Sequence, residues 1–173
     1  MVLFDYTTEE NEFLYSKKMR SEGKTKSKIK IYDKNKEPVC VQTPKMIVKR
    51  VTDNFMELQF VKDSDLCAKF YDFISKFDQR NIEKISEQSE NWFEQKFTID
   101  FCEEKYKSSI KNAKTKEDEP TIKFNFNTVG SEIDVKTYDN YKNLNLEDIK
   151  QGAQVICAIM GTGIIVKKYK IQM

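Results

Sequence analysis

The chain has 173 residues, enough for one domain with a sizeable core and short for two. Its 30 basic and 28 acidic residues nearly cancel to a net charge of +2, so any attraction for a polyanion has to come from local clustering and not from the bulk field. Aromatic residues make up 12% of the chain, which argues against disorder over most of its length, and the lack of any histidine removes the usual general base and the commonest metal ligand.

Four cysteines (Cys40, Cys67, Cys102 and Cys157) lie far apart, form no C-x-x-C pair and sit in apolar contexts. Buried, reduced thiols are the expectation. The opening MVLFDYTTEE carries no basic leader and no long apolar run, so it does not read as a signal peptide. No segment approaches the roughly 20 apolar residues needed to cross a bilayer. These features point to a soluble intracellular protein that is not secreted and has no membrane partner.

In chain order, residues 1–14 mix aromatics with acids, and residues 15–28 (YSKKMRSEGKTKSK) are rich in Lys and Arg around Gly23. We read 1–27 as a flexible arm, acidic-aromatic and then basic. From Lys28 the pattern becomes β, with Ile29 and Ile31 alternating against lysines and a turn at Asp33–Lys36. Val39–Gln42 resumes extended structure, with Pro44 at a strand entrance. Met46–Val51 and Phe55–Val61 bracket Thr52-Asp53-Asn54 as a hairpin. Strict alternation there places Lys49 with Ile47, Arg50 with Met46 and Val48, and Phe55, Glu57 and Gln59 opposite Met56, Leu58 and Phe60.

The period then changes. Asp63-Ser64-Asp65 offers helix N-caps, followed by Leu66, Phe70, Phe73, Ile74 and Phe77 at helical spacing. Ile82 and Ile85 continue the pattern after an expected break near Asp78–Asn81. Trp92-Phe93 marks an anchor, and a second helix is expected from Thr98, with Cys102, Tyr106 and Ile110 at four-residue spacing. Lys111–Pro120 reads as a solvated loop. Two alternating strands follow, around Ile122–Phe126 and Ile133–Val135, and then an Asn-rich connection over Tyr138–Leu146. Gly152–Met173 closes the chain: Val155–Met160, apolar on both faces, and Ile164–Val166 flank Gly161-Thr162-Gly163 as the arms of a hairpin. The fold class is α+β and mostly β. We expect an OB-like antiparallel barrel of about seven strands, forming a single domain over 28–173, with two helices inserted around 64–112. A two-layer sheet with helices on one face is the alternative.

Catalytic equipment is missing from this pattern. Gly161-Thr162-Gly163 lacks the lysine and further glycines of a phosphate loop and lies between strands. The cysteines have no histidine to activate them. Acidic pairs such as Asp63/Asp65 and Glu103/Glu104 sit on polar surfaces. No catalytic residue, metal site or cofactor is expected, and the chain does not read as an enzyme.

What the sequence does carry is basic residues interleaved with aromatics on strands, the combination that holds single-stranded nucleic acid through phosphates and stacked bases. The candidate binding residues are Lys49, Arg50, Lys123, Lys136, Tyr138, Lys167, Lys168, Tyr169 and Lys170. The plainer alternative is that these lysines solubilise strand edges while the aromatics fill the core.

The segment NWFEQKFTIDFCEEKYKSSIK (91–111), with PVCVQTPKM (38–46) before it and the Gly152–Met173 stretch after it, resembles a single-stranded DNA-binding family of large eukaryotic DNA viruses. That family is similar to the OB-fold single-stranded DNA-binding proteins of some tailed phages. The resemblance runs from about Lys28 to Met173. It implies non-catalytic coating of exposed strands during viral DNA replication, recombination or repair, in the host-cell cytoplasm (a virus factory) or nucleus. Single-stranded DNA, replication proteins and a second copy of the chain, as a homodimer, are the partners it suggests. The phage proteins end in an acidic tail with a terminal aromatic; this sequence ends Lys170-Ile171-Gln172-Met173, so recruitment through such a tail has no support in these residues. Two other functions compete: a scaffolding module in a virion or replication assembly, and an accessory factor for duplex or RNA.

Overall fold

The computed structural model describes residues 12–20, 26–113, 115, 118–129, 132–139 and 142–167. Among them every strand pairing is antiparallel. With three helices, α1 (Asp65–Glu87), α2 (Ser89–Phe93) and α3 (Ile99–Lys105), the chain is α+β. The strands outnumber the seven expected, many are only two residues long, and no sheet among the described residues closes into a barrel. The chain divides into two units, one made of Thr43–Ser75 and Ser108–Cys157, the other of Met1–Gln42, Lys76–Lys107 and Ala158–Met173.

The first unit is organised by the hairpin expected over residues 46–60. Its strands are Met46–Val51 and Phe55–Gln59, and Thr52 shapes the turn: its N–H donates to the Phe55 carbonyl at 3.0 Å while its hydroxyl accepts from Asn54 and Phe55. Three more strands extend it to five, in the order Gln154–Val155, Met46–Val51, Phe55–Gln59, Thr121–Asn125, Ile110–Lys111. Alternation then decides the core. Met46, Val48, Met56, Leu58 and Ile122 are buried on one side of the sheet. Phe60, Cys67, Phe70, Phe73 and Ile74 are buried in the same unit, with the Phe60 and Phe70 rings 6.1 Å apart. Each such side chain contributes about 1.5–3 kcal/mol when fully buried. Helix α1 starts where expected, the Ser64 hydroxyl accepting from the Cys67 N–H as an N-cap. Two small hairpins follow, Thr128–Val129 with Glu132–Ile133 and Thr137–Asp139 with Lys142–Leu144. The second replaces the expected Asn-rich connection.

In the other unit, the expected helix break near Asp78–Asn81 does not occur. Both residues are buried inside α1, Asn81 only 2% exposed, and tertiary partners satisfy them. The Tyr106 hydroxyl donates to Asp78 Oδ1 at 2.8 Å, Asn81 Nδ2 donates to Tyr106 Oη at 3.1 Å, and the Tyr15 hydroxyl donates to Asn81 Oδ1 at 2.9 Å. Burial pushes the Tyr15 hydroxyl up to about 12 and raises Tyr106 as well, so both stay protonated donors. Tyr15 lies in a segment expected to be a mobile linker, yet Leu14–Tyr15 pairs with Ile31–Tyr32. Helix α3 begins under the Thr98 cap as expected but stops at Lys105, because Tyr106 turns extended to enter this network. Ile110 is therefore on a strand and not on the helix.

The expected closing hairpin is also corrected. Its first arm, Ala158–Gly161, pairs with Val39–Gln42, and its second, Ile164–Lys167, pairs with Lys26–Ile29; the arms do not pair with each other. Of the two linking residues only Gly163 has a left-handed φ, at 112°. Positive φ at the second central position alone splays the strands it joins, whereas hairpins need it at the first. A Cβ on Gly163 would also collide with the Ile29 carbonyl, so the chain is committed to its neighbour on that side. Neither arm is buried on both faces: Met160 is exposed and Ile165 is 59% exposed.

Asn81→Ala should lower stability by roughly 2–3 kcal/mol, since it strips a partner from two largely buried tyrosine hydroxyls. Urea unfolding followed by circular dichroism measures this, and a midpoint within error of the parent would show the network to be incidental.

Candidate nucleic-acid interface

A single extra residue shapes the candidate face. The register of Met46–Val51 against Phe55–Gln59 runs Ile47 with Gln59 and Val48 with Leu58, then shifts so that Arg50 pairs with Glu57. Lys49 is the inserted residue of this β-bulge. Strict alternation would have turned Arg50 to the side of Met46 and Val48, where both neighbours are fully buried. The bulge moves it to the open face instead, and both Lys49 and Arg50 are exposed.

Cross-strand partners share a face, so the register lines up Arg50, Glu57 and Lys123 as a row over three adjacent strands. One step along, on the same side, is Phe55, half-buried. The Lys123 ammonium lies 3.5 Å from the centre of the Phe55 ring and the Arg50 guanidinium 5.5 Å from it. Cation–π contacts of this kind contribute about 0.5–1 kcal/mol each at exposed sites. Neither cation makes an ion pair among the described residues. Lys49 Nζ donates to Gln59 Oε1 at 3.2 Å on the same face.

Glu57, at the middle of the row, is held elsewhere. Its Oε1 accepts from Lys111 Nζ at 3.0 Å and from the Thr121 hydroxyl at 2.9 Å. The Lys111 hydrogen bond, aided by Thr121 and the charges of Lys111 and Lys123, holds the Glu57 carboxyl below the usual carboxylate range against the opposing effect of burial. Among the described residues the face thus carries four cations, Lys49, Arg50, Lys111 and Lys123, around the neutralised carboxylate of Glu57 and the ring of Phe55.

Of the nine residues expected at the site, three are brought together here: Lys49, Arg50 and Lys123. Lys136 and Tyr138 belong to the same unit but lie after and in the small hairpins, Tyr138 60% exposed and opposite Asn143, outside the five-stranded sheet. Lys167 belongs to the other unit, opposite Lys26. Lys168, Tyr169 and Lys170 lie outside the described residues. Phe124, adjacent to Lys123, pairs with buried Met56 and so turns away from the face. The ring on the face is Phe55, which sequence reasoning left off the site along with Glu57 and Lys111. Phe55 was legible as the open-face residue of its strand; Lys111, 54 residues from Glu57, became a neighbour only through the strand order.

All four cysteines are free thiols; burial raises Cys40, Cys102 and Cys157 above the ordinary thiol value, which keeps them protonated and poor nucleophiles. Among the described residues no group of three or more Cys, Asp or Glu is placed to hold a metal ion, and no helix is long and apolar enough to cross a membrane. The chemistry on offer at the face is attraction of anions beside a flat π surface.

Because the Glu57 carboxyl is depressed in the folded state, its contribution to stability is present above the unfolded value, about 4.3, and is lost as pH falls through the folded one. Glu57→Gln should therefore unfold at lower urea than the parent near pH 7, with the gap closing on acidification to about pH 3. A gap of equal size at both pH values would assign the effect to shape and not to charge.

Comparison with models of protein families, with characterised proteins and with solved structures finds no match, so the chemistry of this face rests on its geometry.

Proposed function

We propose that the chain binds single-stranded DNA with little sequence preference, coating exposed strands in viral DNA replication, recombination or repair. The observation that carries this reading is the Phe55 ring, half-buried on an open sheet and flanked by two cations that make no ion pair among the described residues. Every base has a π face, so stacking on Phe55 is tolerant of sequence, while Arg50 and Lys123 answer to the phosphates on either side. A base entering over Phe55 displaces Lys123 from the ring towards the backbone of the strand. With a net charge of only +2, attraction has to be this local. The resemblance of residues 91–111 and their flanks to viral single-stranded DNA-binding proteins supports the same reading. An OB-like closure of the sheet is its finer architectural part, and the face does not depend on it, since its contacts lie on adjacent strands.

A second reading, a module for protein–protein contacts, draws on the three-stranded sheet Met19–Arg20, Lys26–Ile29, Ile164–Lys167, where exposed Met19, Lys28 and exposed Ile165 form one cross-strand row. Light scattering separates the two: an oligomer indifferent to added oligonucleotide favours the second.

Fluorescence anisotropy with oligo-dT at low salt tests the first reading. Binding should weaken steeply with salt, and Phe55→Ala should cost about one stack, roughly 1–3 kcal/mol. Lys123→Ala should reduce the slope of log affinity against log salt by about 0.7. Absence of binding at low salt, or a Phe55→Ala variant that binds like the parent, would remove this face from consideration.

A further inference from the structure

We propose that Lys111 serves the face as a mask: by neutralising Glu57 it lets Arg50 and Lys123 meet the phosphates of a strand without a carboxylate's repulsion between them. The inference rests on the single-strand reading above and assigns a role to a pair that reading leaves unused.

Glu57 is the cross-strand partner of Arg50 on one side and of Lys123 on the other. Adjacent strands are about 4.8 Å apart, so its backbone position is as close to each cation as sheet geometry allows. An ion pair with either would be the ordinary outcome. The carboxylate instead reaches past the strand Thr121–Asn125 to the edge strand, where Lys111 Nζ and Thr121 Oγ1 both donate to its Oε1. Arg50 and Lys123 are left to the Phe55 ring.

Exposure shows which partner is tied down. The Glu57 side chain is 17% exposed and that of Lys111 is 56% exposed. A carboxylate so largely removed from water is costly to leave without a counter-charge, so Lys111 does not readily leave it for a phosphate. Lys111 therefore acts through Glu57 and is a positioning residue, not a strand contact. Without it, a negative charge stands in the middle of the cationic row. At a separation of about 8 Å and an effective dielectric between bulk water and the protein surface, such a charge weakens the hold on one phosphate by about three- to tenfold.

The test is a mutant cycle on the full chain, with oligo-dT as the probe and anisotropy titrations at several salt concentrations. Lys111→Ala should weaken binding about three- to tenfold with its salt slope unchanged, because no phosphate contact is lost. Adding Glu57→Gln to it should restore affinity to within about twofold of the parent, since the charge to be masked is gone. Glu57→Gln alone should bind at least as tightly as the parent. Lys111→Met, which keeps the aliphatic stem, substitutes if Lys111→Ala unfolds the edge strand. A double variant as weak as Lys111→Ala, or a slope lowered by about 0.7, would make Lys111 a direct phosphate contact and overturn the proposal. Parent-like binding by Lys111→Ala would overturn it as well. Failure of the parent itself to bind oligo-dT is a different result: it removes the binding reading, and the mask with it.

Discussion

The candidate face depends on one inserted residue. A strand's side chains alternate with period two, and a shift of one residue sends everything beyond it to the opposite side. In Met46–Val51 the first three residues obey the period, with Met46 and Val48 in the core. Continued without interruption, the same period would carry the Arg50 guanidinium inward, where an unpaired charge is prohibitively expensive. Lys49 takes up the extra step, and Arg50 emerges beside Glu57. Through that register Arg50, Glu57 and Lys123 form a row, Phe55 gains its two cations, and Glu57 is left to find Lys111.

The sharing of charge on the face follows from competition for a single carboxylate. Three cations lie within reach of Glu57 by strand position, and it bonds to the one on the edge strand. The edge lysine is thereby tied to the middle of the sheet, across the strand Thr121–Asn125. The cations nearest the ring gain a π surface that holds them loosely. A loosely held cation is what an incoming phosphate can recruit at little cost, whereas one locked in a partly buried ion pair is not.

Much of the local structure was legible in the sequence. The hairpin around Thr52-Asp53-Asn54, the Ser64 and Thr98 caps, the apolar face of α1 and the burial of Cys40, Cys67 and Cys102 all follow from patterns of a few residues. The misreadings share a cause, which is that a distant partner changed what a local pattern meant. Asp78 and Asn81 look like a helix break until Tyr106 and Tyr15 supply their hydrogen bonds. Gly161-Thr162-Gly163 looks like a hairpin turn until the φ values show positive rotation at the wrong position. Basic-aromatic interleaving draws notice to Lys49, Arg50 and Lys123, but the ring beside them, Phe55, comes from the neighbouring strand and not from adjacency in sequence.

The parting of the two closing strands has a consequence for how this unit is made. Ala158–Gly161 and Ile164–Lys167 each pair with a strand more than about a hundred residues earlier, so the pairs Val39–Gln42 and Lys26–Ile29 await the same late segment. A hairpin would have formed locally and docked as a piece. Here each arm has to close its own long loop, the slow class of folding event, and until it does Val39 and Ile29 have no partner there. During synthesis this unit therefore cannot complete its sheets until residue 167 has cleared the ribosome, while the hairpin that carries the candidate face is finished long before.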